Sequence, residues 1–412
     1  MRGLDRRPLV IKFGGTSVGS GVRFVRAAKI AAEAAQHSPT AVAVSAMSGT
    51  TDTLLGFART TFGETDGRTS TGATREGTVA ELHRSLADRH LAAARAAVLD
   101  DHFPGVEERL LSLLGRLAKV AEQPFEGGAA RSDAVVQFGE RLSAEILAGA
   151  IRSLGAPAGV VAGDPIATDW CFGEAEVDVE ETRARAAKYA APILDSGAVA
   201  VVPGYVGRAP DGSVTTLGRG GSDLSATVLG RALGAREVRI MTDVDGVLSA
   251  DPRLVPEATT LPRLSYREAA VFAGLGAKVL HPKTMEPAVE SGMEVFVGNT
   301  FDPRAMGTRI SVGESGPGVR CVALRRGIKL EVPCSRGHRS EAAVVVCVGS
   351  PGRKDAAQGR RLLRKNGITL LHSGVTSAGL VFVVGAHAAE AALRLLHEGL
   401  VTPAREPAGE VA

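Results

Sequence analysis

Three segments of the chain join charged side chains to glycine-rich turns in a way that suits an anionic ligand. The first, LVIKFGGTSVGSG, runs from an apolar stretch through Lys12 to Gly14 and Gly15, then Thr16 and Ser17 ahead of a helix. Glycines let backbone N–H groups approach an anion, and a lysine at a strand end supplies the point charge that a phosphate attracts. The lysine precedes the glycines, so this is not a Walker loop, and the spacing is not Gly-x-Gly-x-x-Gly. A Gly-Gly turn also serves as a plain strand-to-helix connection. In the second segment, VTTLGRGGSDLS, Thr215, Thr216, Gly218, Gly220 and Gly221 lead into a helix starting near Ser222 and Asp223. Free N–H groups and the helix dipole favour an anion there, and Arg219 adds a planar fork of donors for a carboxylate or phosphate. Ser222 or Asp223 can equally be an ordinary N-cap.

The third segment, VRIMTDVDGVLSADPR, delivers Thr242 and Asp243 at the end of a buried strand, followed by Asp245, Gly246, Asp251, Pro252 and Arg253. Ligands of open α/β sheets gather at the carboxyl ends of strands, so these groups are placed for a nucleotide or a metal. Asp-Gly and Asp-Pro are also common turn formers. Two smaller signals complete the set. VVQFGERLSAEIL puts Glu140 at a helix start, as a dipole complement or a ligand for an amino group. GLGAKVLHP places Lys278 after glycines, and His281 before a proline reads as a surface or packing residue without a role.

The elements that position these groups follow from apolar periodicity. Runs at residues 9–13, 41–46, 157–162, 199–202, 238–242 and 294–297 read as buried strands, and residues 22–35, 139–154, 223–233, 266–273 and 282–291 have helical spacing. Their alternation predicts a largely parallel α/β sheet. A Gly/Thr/Ser-rich stretch at 60–80 is followed by two amphipathic helices over about 79–122 with no strand, a helical insertion. VGESGPG at 312–318 opens a second unit with strands at 320–324, 328–332 and 342–348, a helix at 354–366, strands at 368–371 and 380–384, and a helix at 388–397. That order is the split βαβ plan of ferredoxin-like modules. The expected organisation is a catalytic domain over 1–312, a small α+β domain over 319–400 and a frayed tail over 401–412.

Composition excludes several classes. Lys and Arg number 48 against 45 Asp and Glu, a net +3 that provides no strong field for nucleic acid or an anionic membrane. Hydrophobic residues at 44% and charged residues at 23% describe a folded, soluble chain. The start has no apolar signal region and no stretch reaches about 18 uninterrupted apolar residues, so a cytoplasmic protein is expected. Cys171, Cys321, Cys334 and Cys347 form no Cys-x-x-Cys pair and no zinc-ligand spacing; reduced structural thiols and no metal site are expected.

Together these segments resemble the aspartokinases of the amino acid kinase family. The likeness runs through KFGGTSVG (12–19), VSAMSGTTD (44–52), FGERLSA (138–144), TLGRGGSD (216–223), TDVDGV (242–247), ADPR (250–253) and GAKVLHP (276–282), covering about residues 8–311. It implies the amino acid kinase fold followed by an ACT-type domain, and ATP- and Mg2+-dependent phosphorylation of the side-chain carboxylate of L-aspartate. Lys12 would contact the transferred phosphoryl group with Gly14 and Gly15 as backbone donors, and Asp223 would orient the lysine. Thr16, Ser45, Glu140, Arg219, Gly220, Gly221 and Ser222 match positions that hold the amino acid. Thr242, Asp243, Arg253, Lys278 and Val279 match the nucleotide site, with Lys278 also counted as catalytic. Leu248 stands where the family commonly has a tyrosine lining the nucleotide pocket.

The C-terminal unit departs further. The family usually carries two ACT domains and only one full pattern fits here, with LHSGVTSAGLVFVV where an acidic QGSSE-like loop is usual, so the effector site is altered. Pairing of ACT sheets implies a homodimer or higher homo-oligomer. The alternatives are a kinase of an aspartate analogue or other small carboxylate, and a catalytically silent ligand-sensing subunit. The latter is expected to have lost Lys12, Asp223 or Lys278, and all three are present.

Overall fold

The run LVIKF is buried at all five positions, as a strand covered on both faces must be. The structure, a computed structural model, describes residues 7–62, 75–123, 128–275, 282–313, 316–330, 340–376 and 379–401. In chain order the elements are β1 (Leu9–Phe13), α1 (Gly21–Ala35), β2 (Thr40–Val44), α2 (Thr50–Phe62), α3 (Arg75–Ala97), α4 (Phe103–Glu122), α5 (Gly128–Ser153), β3 (Ala158–Val160), β4 (Ala167–Thr168), β5 (Val177–Asp178), α6 (Val179–Tyr189), α7 (Ala191–Asp195), β6 (Val199–Pro203), β7 (Val206–Arg208), β8 (Val214–Thr216), α8 (Gly221–Ala232) and β9 (Glu237–Thr242). There follow β10 (Arg263–Ser265), α9 (Tyr266–Gly274), α10 (Pro282–Ser291), β11 (Glu294–Asn299), β12 (Thr308–Ser311), β13 (Gly318–Leu330), β14 (Ser340–Ser350), α11 (Arg353–Lys365), β15 (Leu370–Thr376), β16 (Gly379–Gly385) and α12 (Ala389–Leu400). The chain divides into two units, residues 1–244 with 286–304, and residues 245–285 with 305–412.

In the first unit six strands run parallel in the order β11-β9-β1-β2-β6-β3, as the alternation of strands and helices predicts. Side chains alternate across a strand. Leu9, Ile11 and Phe13 of β1 therefore enter the main core with α1 and α5, while Lys12 faces the other side, where α8 packs. The insertion forms α3 and α4, whose Leu82, Leu86, Leu110, Leu114 and Leu117 join that core. Gly21 lets α1 approach α3: a Cβ there would lie 2.4 Å from the Ala96 methyl.

A second small sheet, β5-β4-β7-β8, was not expected from sequence. Its strands are two or three residues long, too short to show a period of two.

The second unit has an antiparallel sheet in the order β13-β14-β16-β15, with α11 and α12 supplying Leu363, Leu393, Leu396 and Leu400 to its core. The order β14-α11-β15-β16-α12 follows the ferredoxin-like plan, and β13, earlier in the chain, takes the place beside β14. Two details differ from expectation. The strand expected at 320–324 and the described part of the one expected at 328–332 are one long strand, interrupted by register shifts at Val319/Cys321 and Arg325/Ile328, with Gly327 at φ +74° in the second; residues 331–332 lie outside the described residues. The strand expected at 368–371 lies instead at Leu370–Thr376, because Gly367 at φ +71° and Ile368 still belong to the turn closing α11. β10 and β12, both of this unit, pair parallel with Arg263 opposite Arg309 and Ser265 opposite Ser311. Residues 402–412 and Cys334 lie outside the described residues, and Cys321 and Cys347 are buried free thiols. Among the described residues no helix is long and apolar enough to cross a membrane.

Candidate active site

Parallel strands release their loops at one edge, so the carboxyl ends of β1, β2, β6 and β9 bring the expected groups together. Lys12, one residue before the end of β1, places its Nζ 2.5 Å from Asp223 Oδ1 in the first turn of α8. Both side chains are nearly buried, at 11% and 18% exposure, so neither charge is solvated freely and each depends on the other. Asp223 is therefore not an N-cap. Gly220 takes that position in the left-handed conformation at φ +75°, with no side-chain cap, which leaves the first N–H groups of α8 free of side-chain acceptors.

Beyond Lys12 the chain enters a single 3-10 turn, Gly15–Val18. A Cβ on Gly14 would lie 3.1 Å from the Lys12 ammonium, and one on Gly15 would lie 2.9 Å from the Ala46 carbonyl oxygen. The glycines thus permit close packing of two loops. The Gly14 N–H is donated to the Met241 carbonyl (3.4 Å). Ser45, just past β2, donates its N–H to the Phe13 carbonyl (3.0 Å), joining the ends of β1 and β2. Thr16 is exposed, and its carbonyl accepts from Arg23 (2.8 Å).

Glu140 requires a correction. It lies in the middle of α5, not at a helix start, because α5 begins at Gly128. The helix dipole therefore does not stabilise its charge. Its carboxyl is 2% exposed; Oε1 accepts from the Ala46 N–H (3.3 Å) and Oε2 has no partner among the described residues. Burial pushes its pKa up to about 8, with the Ala46 N–H and the Arg141 charge pulling the other way. An acid in this condition lacks a cation and can receive one.

Arg219, between Gly218 and Gly220, is exposed and has no partner among the described residues. Thr242 donates its hydroxyl to Asp243 Oδ1 (3.1 Å) at the end of β9. Leu248 and Arg253 belong to the second unit, where Leu248 bridges to Thr260 and Arg253 pairs with Asp251 (2.6 Å). Lys278, Val279 and His281 lie outside the described residues.

Two residues at this edge escaped the sequence reading. Tyr205 follows β6 with φ +67°, a left-handed conformation that a bulky side chain avoids unless its surroundings impose it. Its N–H donates to Ser225 Oγ (2.8 Å), its hydroxyl bonds to Thr216, and its ring lies 2.5 Å from where a Cβ of Gly221 would be. Asp133, buried on α5, accepts from the Thr216 N–H (2.9 Å), the Thr216 hydroxyl (2.8 Å) and the Gly173 N–H (2.8 Å). It fixes β8 and with it the start of the Gly218–Gly221 turn. A residue just beyond a buried apolar run was the available signal for Tyr205; a left-handed conformation leaves none.

A lysine held by an acid, glycine turns at two strand ends and a buried carboxyl without a cation have the chemistry to take a zwitterionic acid beside a phosphate. The sequence profile of the amino acid kinase family matches residues 7–299. The chain is 35% identical over 315 residues to aspartokinase 3, chloroplastic, of Arabidopsis thaliana, an alignment covering 73% of this chain and 52% of that protein. It is 32% identical over 329 residues to the aspartokinase of Chlamydia trachomatis, covering 78% and 69%. Its fold matches Escherichia coli aspartokinase III in complex with aspartate and ADP with a TM-score of 0.74 at 28% identity, covering 95% of this chain and 99% of that one. The chain spans about half the length of the plant relatives it matches. On these likenesses and on the site that its strands assemble, the chain belongs to the amino acid kinase family and, within it, to the aspartokinases.

Proposed function

We propose that the protein transfers the γ-phosphoryl group of ATP to the side-chain carboxylate of L-aspartate, giving 4-phospho-L-aspartate and ADP. The observation that carries this reading is the Lys12–Asp223 pair set beside the Gly14–Gly15 turn, on the same strand edge as the buried Glu140. A carboxylate oxygen of aspartate forms the new bond to phosphorus while the bond from phosphorus to the ADP oxygen breaks. The carboxylate is already ionised at pH 7, so no general base is needed, and catalysis reduces to placement and neutralisation of charge on the phosphoryl oxygens.

Lys12 supplies that charge, with Gly14 and Gly15 N–H groups as donors and Asp223 holding the ammonium in place. Glu140 receives the substrate's ammonium, and Arg219 its α-carboxylate, with Thr16, Ser45, Gly220, Gly221 and Ser222 around it. Thr242, Asp243, Leu248, Arg253, Lys278 and Val279 serve the nucleotide on the strength of the family match. Among the described residues no cluster of three or more metal-ligating acids, histidines or cysteines occurs. Mg2+ would accompany the nucleotide, and the hard oxygens of Thr242 and Asp243 at the end of β9 are of the kind that would hold it. Bound there, it screens phosphate charge.

The domain reading is a catalytic domain over 1–312, with its insertion at about 79–122, a shortened ACT-type domain over 319–400 and a tail over 401–412. We assign a cytoplasmic location on the apolar pattern of the sequence, and a homo-oligomer formed through the ACT-type region, as the resemblance implies. ADP release measured with L-aspartate, aspartate analogues and L-glutamate as acceptors tests the reading. Aspartate with the highest kcat/KM supports it; an analogue favoured tenfold or more makes the protein a kinase of that analogue, and no acceptor-dependent ADP release makes it a sensing subunit.

A further inference from the structure

The helical insertion carries one cation to the edge of the site. Arg89 of α3 donates to the Ser48 carbonyl and, at 3.4 Å, to Thr50 Oγ1, whose residue is fully buried. Ser48 lies in the turn that joins β2 to α2, and Thr50 is the first residue of α2. This turn has little slack. The Ala46 carbonyl lies 2.9 Å from the Cβ position of Gly15, the Ala46 methyl lies 2.8 Å from that of Gly139, and the Ala46 N–H holds Glu140. Close-packed groups transmit displacement, so a shift at Ser48–Thr50 moves both the Gly14–Gly15 turn and the Glu140 carboxyl.

These two hydrogen bonds hold Arg89 against an unfavourable field. A guanidinium at the N-terminal end of α2 faces the positive end of that helix's dipole, which is unfavourable. No carboxylate pairs with it among the described residues. Its base, by contrast, is rigid: Leu86, His90, Ala93 and Ala94 of α3 are buried, with His90 Nδ1 2.7 Å from the Leu86 carbonyl. A planar fork on a fixed helix can hold two acceptors of one turn at a set spacing, which an ammonium cannot.

We propose that Arg89 is a positioning residue for the amino-acid substrate, acting through the Ser45–Thr50 segment and the Ala46 N–H on Glu140, so that the helical insertion sets aspartate affinity. The proposal rests on the aspartate kinase reading. The experiment is steady-state kinetics of the full chain and of Arg89→Ala, Arg89→Lys and Thr50→Val, varying aspartate and ATP separately, with thermal melts of each. Arg89→Ala is expected to raise the aspartate KM about tenfold, with kcat within about threefold and the ATP KM within about twofold. Thr50→Val, which removes one acceptor, gives a smaller rise of the same kind, and Arg89→Lys restores only part of the affinity.

An unchanged aspartate KM in Arg89→Ala overturns the proposal, as does an equal rise for both substrates. Should Arg89→Ala fail to fold, the same split in Arg89→Lys and Thr50→Val decides. A wild-type chain with no aspartate-dependent turnover refutes the kinase reading instead, and the two failures are thereby separate.

Discussion

The Nζ of Lys12 and the Oδ1 of Asp223 meet at 2.5 Å between the end of the central strand β1 and the first turn of α8. One contact does two things. It lets a lysine be buried in a sheet otherwise apolar on that strand, and it places a carboxylate at a helix N-terminus, where the dipole favours it. In the proposed reaction the phosphate would meet an ammonium already oriented.

Removing either partner should separate binding from stability. Lys12→Ala is expected to lower kcat by about two or more powers of ten, the scale for losing a charge contact in a transition state. Asp223→Ala leaves a nearly buried ammonium unpaired, a loss of about 3–5 kcal/mol for a fully buried pair and less at this partial exposure. Denaturant melts and initial rates check both; near-normal kcat in a folded Lys12→Ala removes the lysine from the chemistry.

Arg219 is exposed and unpartnered, so its loss costs the fold little. Arg219→Ala is expected to weaken aspartate by about 2 kcal/mol, roughly thirtyfold, with ATP affinity within about twofold, as for a charge-assisted carboxylate contact. Calorimetric titration of each ligand reads this, and equal weakening of both would assign Arg219 to the architecture of the turn.

Glu140 gives the site a pH signature. Its pKa is raised from 4.5 to about 8 by burial, so between those values the folded protein holds a proton that the unfolded chain releases. Stability from this group is therefore present below pH 4.5 and is lost as pH rises toward 8. Aspartate's ammonium needs the ionised form, so the aspartate KM should fall as pH rises from 6 to 8 and then level off. Glu140→Gln should raise the KM, flatten its pH dependence and remove the loss of stability over the same range. A Glu140→Gln enzyme with the wild-type KM profile would take Glu140 out of the binding step.

Asp133 satisfies three donors on Thr216 and Gly173. Asp133→Ala should destabilise the fold by about 2–4 kcal/mol, since buried donors are left without an acceptor. Because β8 leads into the Gly218–Gly221 turn, aspartate affinity should fall too. Chemical denaturation with an aspartate titration tests the pairing of effects; a melt unchanged from wild type contradicts it.

Much of the first unit was legible because its strands are continuous apolar runs and its helices have a clear period. Lys12, Asp223 and Arg219 were visible as charges interrupting those patterns beside glycines. Glu140 was readable as a dipole complement or a ligand for an amino group but misplaced at a helix start, since the first turns of α5, GAARSDAVVQ, carry buried Asp133 and Gln137 that blur its apolar face. Tyr205 and Arg89 were not legible. One depends on a left-handed backbone, the other on a contact between residues 39 and 41 positions apart in sequence, and neither leaves a local mark. The short strands of the small sheet fell below the length at which a period can be read.

The most direct measurement is trapping of the product with hydroxylamine while ADP is counted. An acyl phosphate on the aspartate side chain reacts with hydroxylamine to give the β-hydroxamate, so the account predicts one hydroxamate per ADP, dependent on L-aspartate and lost in Lys12→Ala. ADP release without hydroxamate, or hydroxamate formed equally well from L-glutamate, would contradict it.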